Sequence, residues 1–460
     1  MKTKSWLSIA AAFIVALTII GCKKNDPHSP DGNKVSGFLY TTLNGENENK
    51  VVRFTRHSDG SLSDEKSYPT NSKGGANVAA GGDAHGDFDA QGAIQIIGNY
   101  LLNVNAGGNQ VSVFLLNKKN GDLTFASNVN SGGTRPVSIA YTKKSGSGDD
   151  YWVVVGNQWN NPNVQKDGVA IERYPDNAFH MQDLKAADAS DNERNIQLFT
   201  FNASSGTLTI VKQLDKYVRE NGGPTTVSFS ADGSKLAVST WGIAHFDTKL
   251  TSLDEQHPSR VYVYDFSNGS ISGKRYFEES GIAGTIGISW AKSSNSKLFV
   301  SNFNLIPSKL DNSVTVLNDN GTMVSKTAKL SATPEAAINE ACWTALNSSG
   351  DKLYVASFQT NLVSVYNTSS SGLSFADAEV RGGKAPNGDS KDVWVTPDDK
   401  FIYNLGAFQS FSINRFDING NSIIYKTQTL VGAASTGIGT AGKYNFLGLM
   451  GFDIEKEKGY

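Results

Sequence analysis

Ionisable and amide side chains recur at matching points of a repeating chain. Asp87, Asp89, Gln91, Arg135, Glu340 and Asp392 stand at or near the starts of short apolar strands, whereas Asn105, Asn157, Trp241 and Asn302 close the strands that follow. Gathered on one rim, such a set offers a carboxylate or imidazole to activate water (Glu340, His85) and a guanidinium (Arg135) to stabilise a developing oxyanion. Asp89, Gln91, Asn105, Asn157, His245, Asn302 and Asp392 would ring a small polar ligand beside Trp241. The same residues equally suit a water-filled channel whose side chains satisfy one another. Which holds depends on how the elements place them.

Those elements repeat. Seven alternating strands run into glycine-centred turns: VVRFTRHSDG, VSVFLLNKKNG, IQLFTFNASSG, VYVYDFSNG, VTVLNDNG, VSVYNTSSSG and FSINRFDING, with turn glycines Gly60, Gly121, Gly206, Gly269, Gly321, Gly372 and Gly420. Period-two alternation marks half-buried antiparallel strands, and the turns call for positive φ. A second strand precedes each unit, and six of the seven have a further inner strand ahead of it, the one of the second unit read from Asp89 to Ile97. The first unit lacks its own, and KYNFLGLMGFD, Lys443 to Asp453, supplies it from the other end of the chain. Four short strands per unit of about 50 residues predict an all-β, seven-bladed β-propeller closed by a C-terminal strand, which removes open sheet edges.

In that architecture the second-to-third-strand loops and the connections between blades emerge on one face, and the glycine turns on the other. The insertions 158–194, 243–258 and 305–311 and the connection 71–86 all fall on the first face, bringing His85, His180, His245 and His257 with them. Loops held by a rigid scaffold carry binding and catalytic groups. Histidine is also an ordinary loop residue.

Lys2 and Lys4 precede an apolar run from Trp6 to Ile20 that is too short to span a bilayer, followed by Gly21-Cys22. Ile19-Ile20-Gly21-Cys22 resembles the lipobox of bacterial lipoproteins, which implies a signal peptide at 1–21, lipid on Cys22, a tether over 22–35 and a propeller over 36–460. The expected location is the envelope of a Gram-negative bacterium, at the outer membrane, on the periplasmic side or the cell surface. Cys342, in ACWTAL, is then alone, so no disulfide forms within the mature chain, and it reads as a small core residue. A net charge of -2 leaves no footprint for nucleic acid. Gly74 to Gly86 lacks the Gly-Lys-Ser/Thr ending of a phosphate loop, and Gly281 to Gly287 opens no helix. Neither HExxH nor Gly-x-Ser-x-Gly occurs, and the histidines and carboxylates show no recognised metal-ligand spacing.

Asn103 to Leu116, Gly132 to Tyr141, Pro224 to Ser239 and Ala341 to Ser357 resemble the lactonase-type seven-bladed propellers, which include propeller 6-phosphogluconolactonases and carboxymuconate cyclases. The resemblance runs through nearly all of the chain after residue 36. It implies hydrolysis of a sugar or organic-acid lactone without a cofactor, a reaction for which Glu340, Arg135 and His85 are the candidate catalytic groups on the rim. The family's PHxH-like element is replaced here by Asp83-Ala84-His85-Gly86. The alternative is a non-catalytic propeller that binds a ligand, glycan or protein partner through loop 158–194, where Trp159 and Tyr174 suit stacking on a sugar. Because no other apolar segment is long enough to span a membrane, Cys22→Ala is expected to move the protein from the membrane to the soluble fraction. Unchanged membrane retention would refute the lipid anchor.

Overall fold

Each alternating strand ends at a glycine because the turn needs a backbone that a Cβ would strain. All seven turn glycines have positive φ, from 61° at Gly420 to 142° at Gly372. A computed structural model describes residues 33–45, 47–75, 90–158, 194–217, 223–241, 259–279, 282, 284–302, 314–327, 340–382, 388–407, 409–435 and 444–454, with the main chain of 165–166 and 169–170. Among them, seven antiparallel sheets of four strands form a seven-bladed β-propeller. Taken in ring order, the inner strands are Leu447–Asp453, Ile94–Ile97, Pro136–Lys143, Pro224–Phe229, Thr285–Trp290, Ala341–Leu346 and Ser390–Val395. Each lies beside the next, and the last lies beside the first.

The C-terminal strand closes the ring as the sequence implies. Leu447–Asp453 pairs antiparallel with Val35–Thr42, placing Met450 opposite Tyr40. Arg56, 1% exposed, forms an ion pair with Asp453. Its guanidinium also sits 5.8 Å from the Trp394 ring of blade seven, so the same cation ties both sides of the seam.

Neighbouring blades lock through the glycine turns. The Tyr40 hydroxyl donates to the carbonyl of Gly121 at 2.7 Å, and Tyr403 does the same to Gly60 at 2.7 Å. A side chain at Gly121 would collide with the Phe38 ring, so this turn needs glycine for space as well as for φ. Buried apolar clusters fill the gaps between blades; Cys342 lies in one of them, fully buried beside Trp343 and Tyr354.

Blade two corrects one expectation. Its inner strand is only Ile94–Ile97, not the run from Asp89: Gly92 at φ +85° breaks the strand, Ala93 keeps a bond to blade two through Val104 N–H at 3.1 Å, and Gln91 reaches across to blades five and six. No helix of the described residues is long and apolar enough to cross a membrane.

Removing residues 440–460 is expected to strip the inner strand from blade one and expose two sheet edges, giving aggregation or loss of cooperative unfolding in thermal melts. A truncated protein that melts like the intact one would contradict closure by this strand.

Candidate functional site

The rim on the loop-bearing face is built from strand irregularities. Six of the seven inner strands slip register near their first residues, between Pro136 and Ser138, Pro224 and Thr226, Thr285 and Ile288, Ala341 and Trp343, Ser390 and Val393, and Leu447 and Leu449. A bulge bends the strand and re-aims side chains, and such bulges gather at rims and beside active sites. Here they sit where the sequence places its charged candidates.

Arg135 and Glu340 occupy equivalent positions, each directly ahead of its inner strand, and both have left-handed backbones at φ 57° and 60°. In blade five the same position is Gly284, at φ 71°. Main-chain bonds hold both residues there: Gln158 N–H donates to the Arg135 carbonyl and Phe358 N–H to that of Glu340, each at 2.9 Å. A side chain in this region costs about 1 kcal/mol or more, which glycine avoids. Burial also holds the Arg135 guanidinium below its ordinary pKa.

Asp392 lies inside the bulge of blade seven, 5% exposed. One carboxyl oxygen accepts from Val393 N–H at 2.9 Å and the other from Leu449 N–H of blade one at 3.1 Å. Loss of hydration outweighs these two bonds, and the carboxyl is pushed up to about 7. A carboxyl titrating near neutrality can exchange protons under physiological conditions.

Beside it are groups that were not singled out from the sequence. Lys391 is 1% exposed and donates to Asn445 Oδ1 at 2.6 Å. Asp389 and Arg381 form a fully buried ion pair, and Asp389 accepts further from Gln409 N–H at 2.7 Å and the Ser410 hydroxyl at 2.5 Å. Three ionisable residues within the four-residue run Asp389 to Asp392, at the start of an inner strand, were the available signal.

Several expected ligand contacts are instead committed to the blades. Asn105, Asn157 and Asn302 are fully buried, donating to Ser112 Oγ at 2.6 Å, Asn195 Oδ1 at 2.8 Å and Thr315 Oγ1 at 2.6 Å. Trp241 is 1% exposed and belongs to the cluster of Ile286, Cys342 and Trp343 between blades. Gln91 is drawn into the channel, where its amide bridges the Ile288 carbonyl at 2.9 Å and Thr344 N–H at 3.0 Å. His85, Asp87, Asp89, His180, His245, His257 and Cys22 lie outside the described residues, as does nearly all of loop 158–194. Among the described residues no group of three or more His, Cys, Asp or Glu side chains is placed to hold a metal ion.

No protein-family model matches the sequence, and no curated protein does so either. Similarity appears at the level of solved structures. A protein of Lactobacillus plantarum superposes with a TM-score of 0.60 at 12% identity, over 90% of this chain and 99% of its own. The periplasmic gluconolactonase of Pseudomonas aeruginosa gives 0.54 at 13% identity, over 90% and 99%. A candidate 6-phosphogluconolactonase of Bacteroides fragilis gives 0.53 at 12% identity, over 92% and 99%. The fold is therefore the seven-bladed propeller that these proteins share.

Asp392 gives a pH signature of known sign. Its folded pKa of about 7 lies above the 3.8 of an ordinary aspartate, so the folded state binds this proton more tightly. Its stabilisation is complete below about pH 4 and is lost as pH rises through about 7, by at most about 4 kcal/mol. Asp392→Asn is expected to flatten the fall in melting temperature between pH 5 and 8. An unchanged profile would mean that the carboxyl is ionised throughout.

Proposed function

We propose that this lactonase-like propeller is an envelope-anchored hydrolase acting on a lactone of a sugar or organic acid, with its site at the loop-bearing rim. The observation that carries this reading is the pair of strained charged residues. At one repeat position glycine would sit without cost, as Gly284 does in blade five, yet blades three and six hold Arg135 and Glu340 there in the left-handed conformation. Strain of this kind persists where the surrounding structure enforces it, and it clusters at functional sites. In the proposed mechanism Glu340 takes a proton from water as it attacks the lactone carbonyl, and Arg135 stabilises the oxyanion. Collapse of that intermediate breaks the ring C–O bond, and the proton passes to the departing alkoxide. His85 is proposed to assist, and Asp392 to line the rim. The P. aeruginosa neighbour, a periplasmic gluconolactonase, supports both the substrate class and an envelope location. Lipid on Cys22 would supply the anchor.

The test is a lactone panel assayed on purified protein lacking residues 1–22. Glu340→Gly and Arg135→Gly should each lower turnover by about 100-fold or more. Because glycine relieves the backbone strain, both variants should melt at or above the wild-type temperature. No turnover by the wild type across the panel, together with capture of a ligand or partner that depends on loop 158–194, would replace this reading with a binding propeller.

A further inference from the structure

A second site stands apart from that rim. Residues 90–92 cross the channel as a plug: Trp343 Nε1 donates to the Ala90 carbonyl at 3.1 Å, Gln91 N–H donates to Thr226 Oγ1 at 3.1 Å, and Ser138 Oγ donates to the Gln91 carbonyl at 2.6 Å. With the Gln91 amide bridging blades five and six, one residue is fastened to four blades besides its own. On the turn-bearing side of this plug lies a cavity of about 540 Å3, walled by Gln91 and Gln95, by the far half of the blade-three inner strand, and by Thr226 to Asp232 of blade four. The described part of the rim residues, Arg135, Glu340 and Asp392, does not line it.

We infer that this turn-side cavity is a binding site for a neutral carbohydrate of one or two sugar units. Its volume falls within the about 300–1,000 Å3 typical of small-molecule sites. The wall carries uncharged hydrogen-bonding groups that match the hydroxyls of a sugar, Thr142 and Ser228 together with Gln95, whose amide also donates to the Ile139 carbonyl at 3.0 Å; the Ser230 hydroxyl is taken up by Asp232 at 2.8 Å. Lys143 and Asp232 contribute one charge of each sign, so the wall favours neither an anion nor a cation. Tyr141 adds an aromatic surface that is held in place before any ligand arrives. Its hydroxyl donates to the Ile96 carbonyl at 3.1 Å, its ring meets Tyr151 edge-on at 5.9 Å, and 36% of it stays exposed. A preorganised ring beside hydroxyl and amide groups is what a sugar needs, with apolar C–H groups against the ring and O–H groups toward the polar wall.

The site is independent of the hydrolase reading, and the experiment keeps the two apart. Saturation-transfer NMR and calorimetry on the purified protein would use D-glucose, D-galactose, N-acetylglucosamine and cellobiose as probes. At least one should bind saturably, with affinity lowered about 10-fold or more in Tyr141→Ala, mostly restored in Tyr141→Phe and unchanged in Glu340→Gly. Matching melting temperatures would confirm that Tyr141→Ala is folded. The proposal is overturned if no probe binds with a dissociation constant below about 10 mM, if Tyr141→Ala binds like the wild type, or if Glu340→Gly abolishes binding. Lactone turnover by Tyr141→Ala at the wild-type rate is the companion result.

Discussion

The inner strand of every blade has a strand partner on one side only, so its other edge turns amide hydrogens and carbonyls toward the channel. Leaving such a buried group without a partner costs about 1–3 kcal/mol, and an open edge also invites pairing with another chain. The propeller answers with side chains sent from one blade to another. Ser138 Oγ accepts Val227 N–H at 3.1 Å, Asp392 accepts Leu449 N–H at 3.1 Å, and Gln91 serves blades five and six together. These links explain why polar residues occur inside strands that are otherwise apolar. They also join the inner strands into one rigid ring.

The same constraint creates the chemistry of the rim. A carboxyl recruited to satisfy an edge amide must enter the space between blades, and the loss of hydration there pushes Asp392 up to about 7. A side chain in an outer strand would meet water and keep its ordinary acidity. The bulges act alongside: by slipping the register at the strand starts they allow the left-handed backbones of Arg135 and Glu340 directly ahead of Pro136 and Ala341. Structural need and reactive potential therefore fall on the same few residues.

Closure of the ring by Leu447–Asp453 makes this arrangement possible, since the blade-one edge that Asp392 satisfies belongs to that strand. The Gln91 plug then separates the loop-side rim from the turn-side cavity. One scaffold thereby offers two faces with different chemistry: charged and strained on one, hydroxyl-rich and aromatic on the other.

The sequence by itself determined the repeat, the number of blades and the closing strand, because period-two alternation and turns that require glycine are local properties written in neighbouring residues. It also pointed to the charged positions ahead of inner strands, since charge stands out against an apolar pattern. Only the tertiary structure decided what those positions do. Asn105, Asn157 and Asn302 look like ligand contacts in a linear reading, but their partners are residues on the adjoining strand, and all three are sealed inside the blades. Trp241 reads as the aromatic beside a small polar ligand and proves to be inter-blade core. Gln91 reads as one more ligand contact and proves to be a brace between blades, because its partners Ile288 and Thr344 lie 197 and 253 residues away. Strand pattern is set by near neighbours, whereas exposure and acidity are set by whichever distant blade the ring brings alongside.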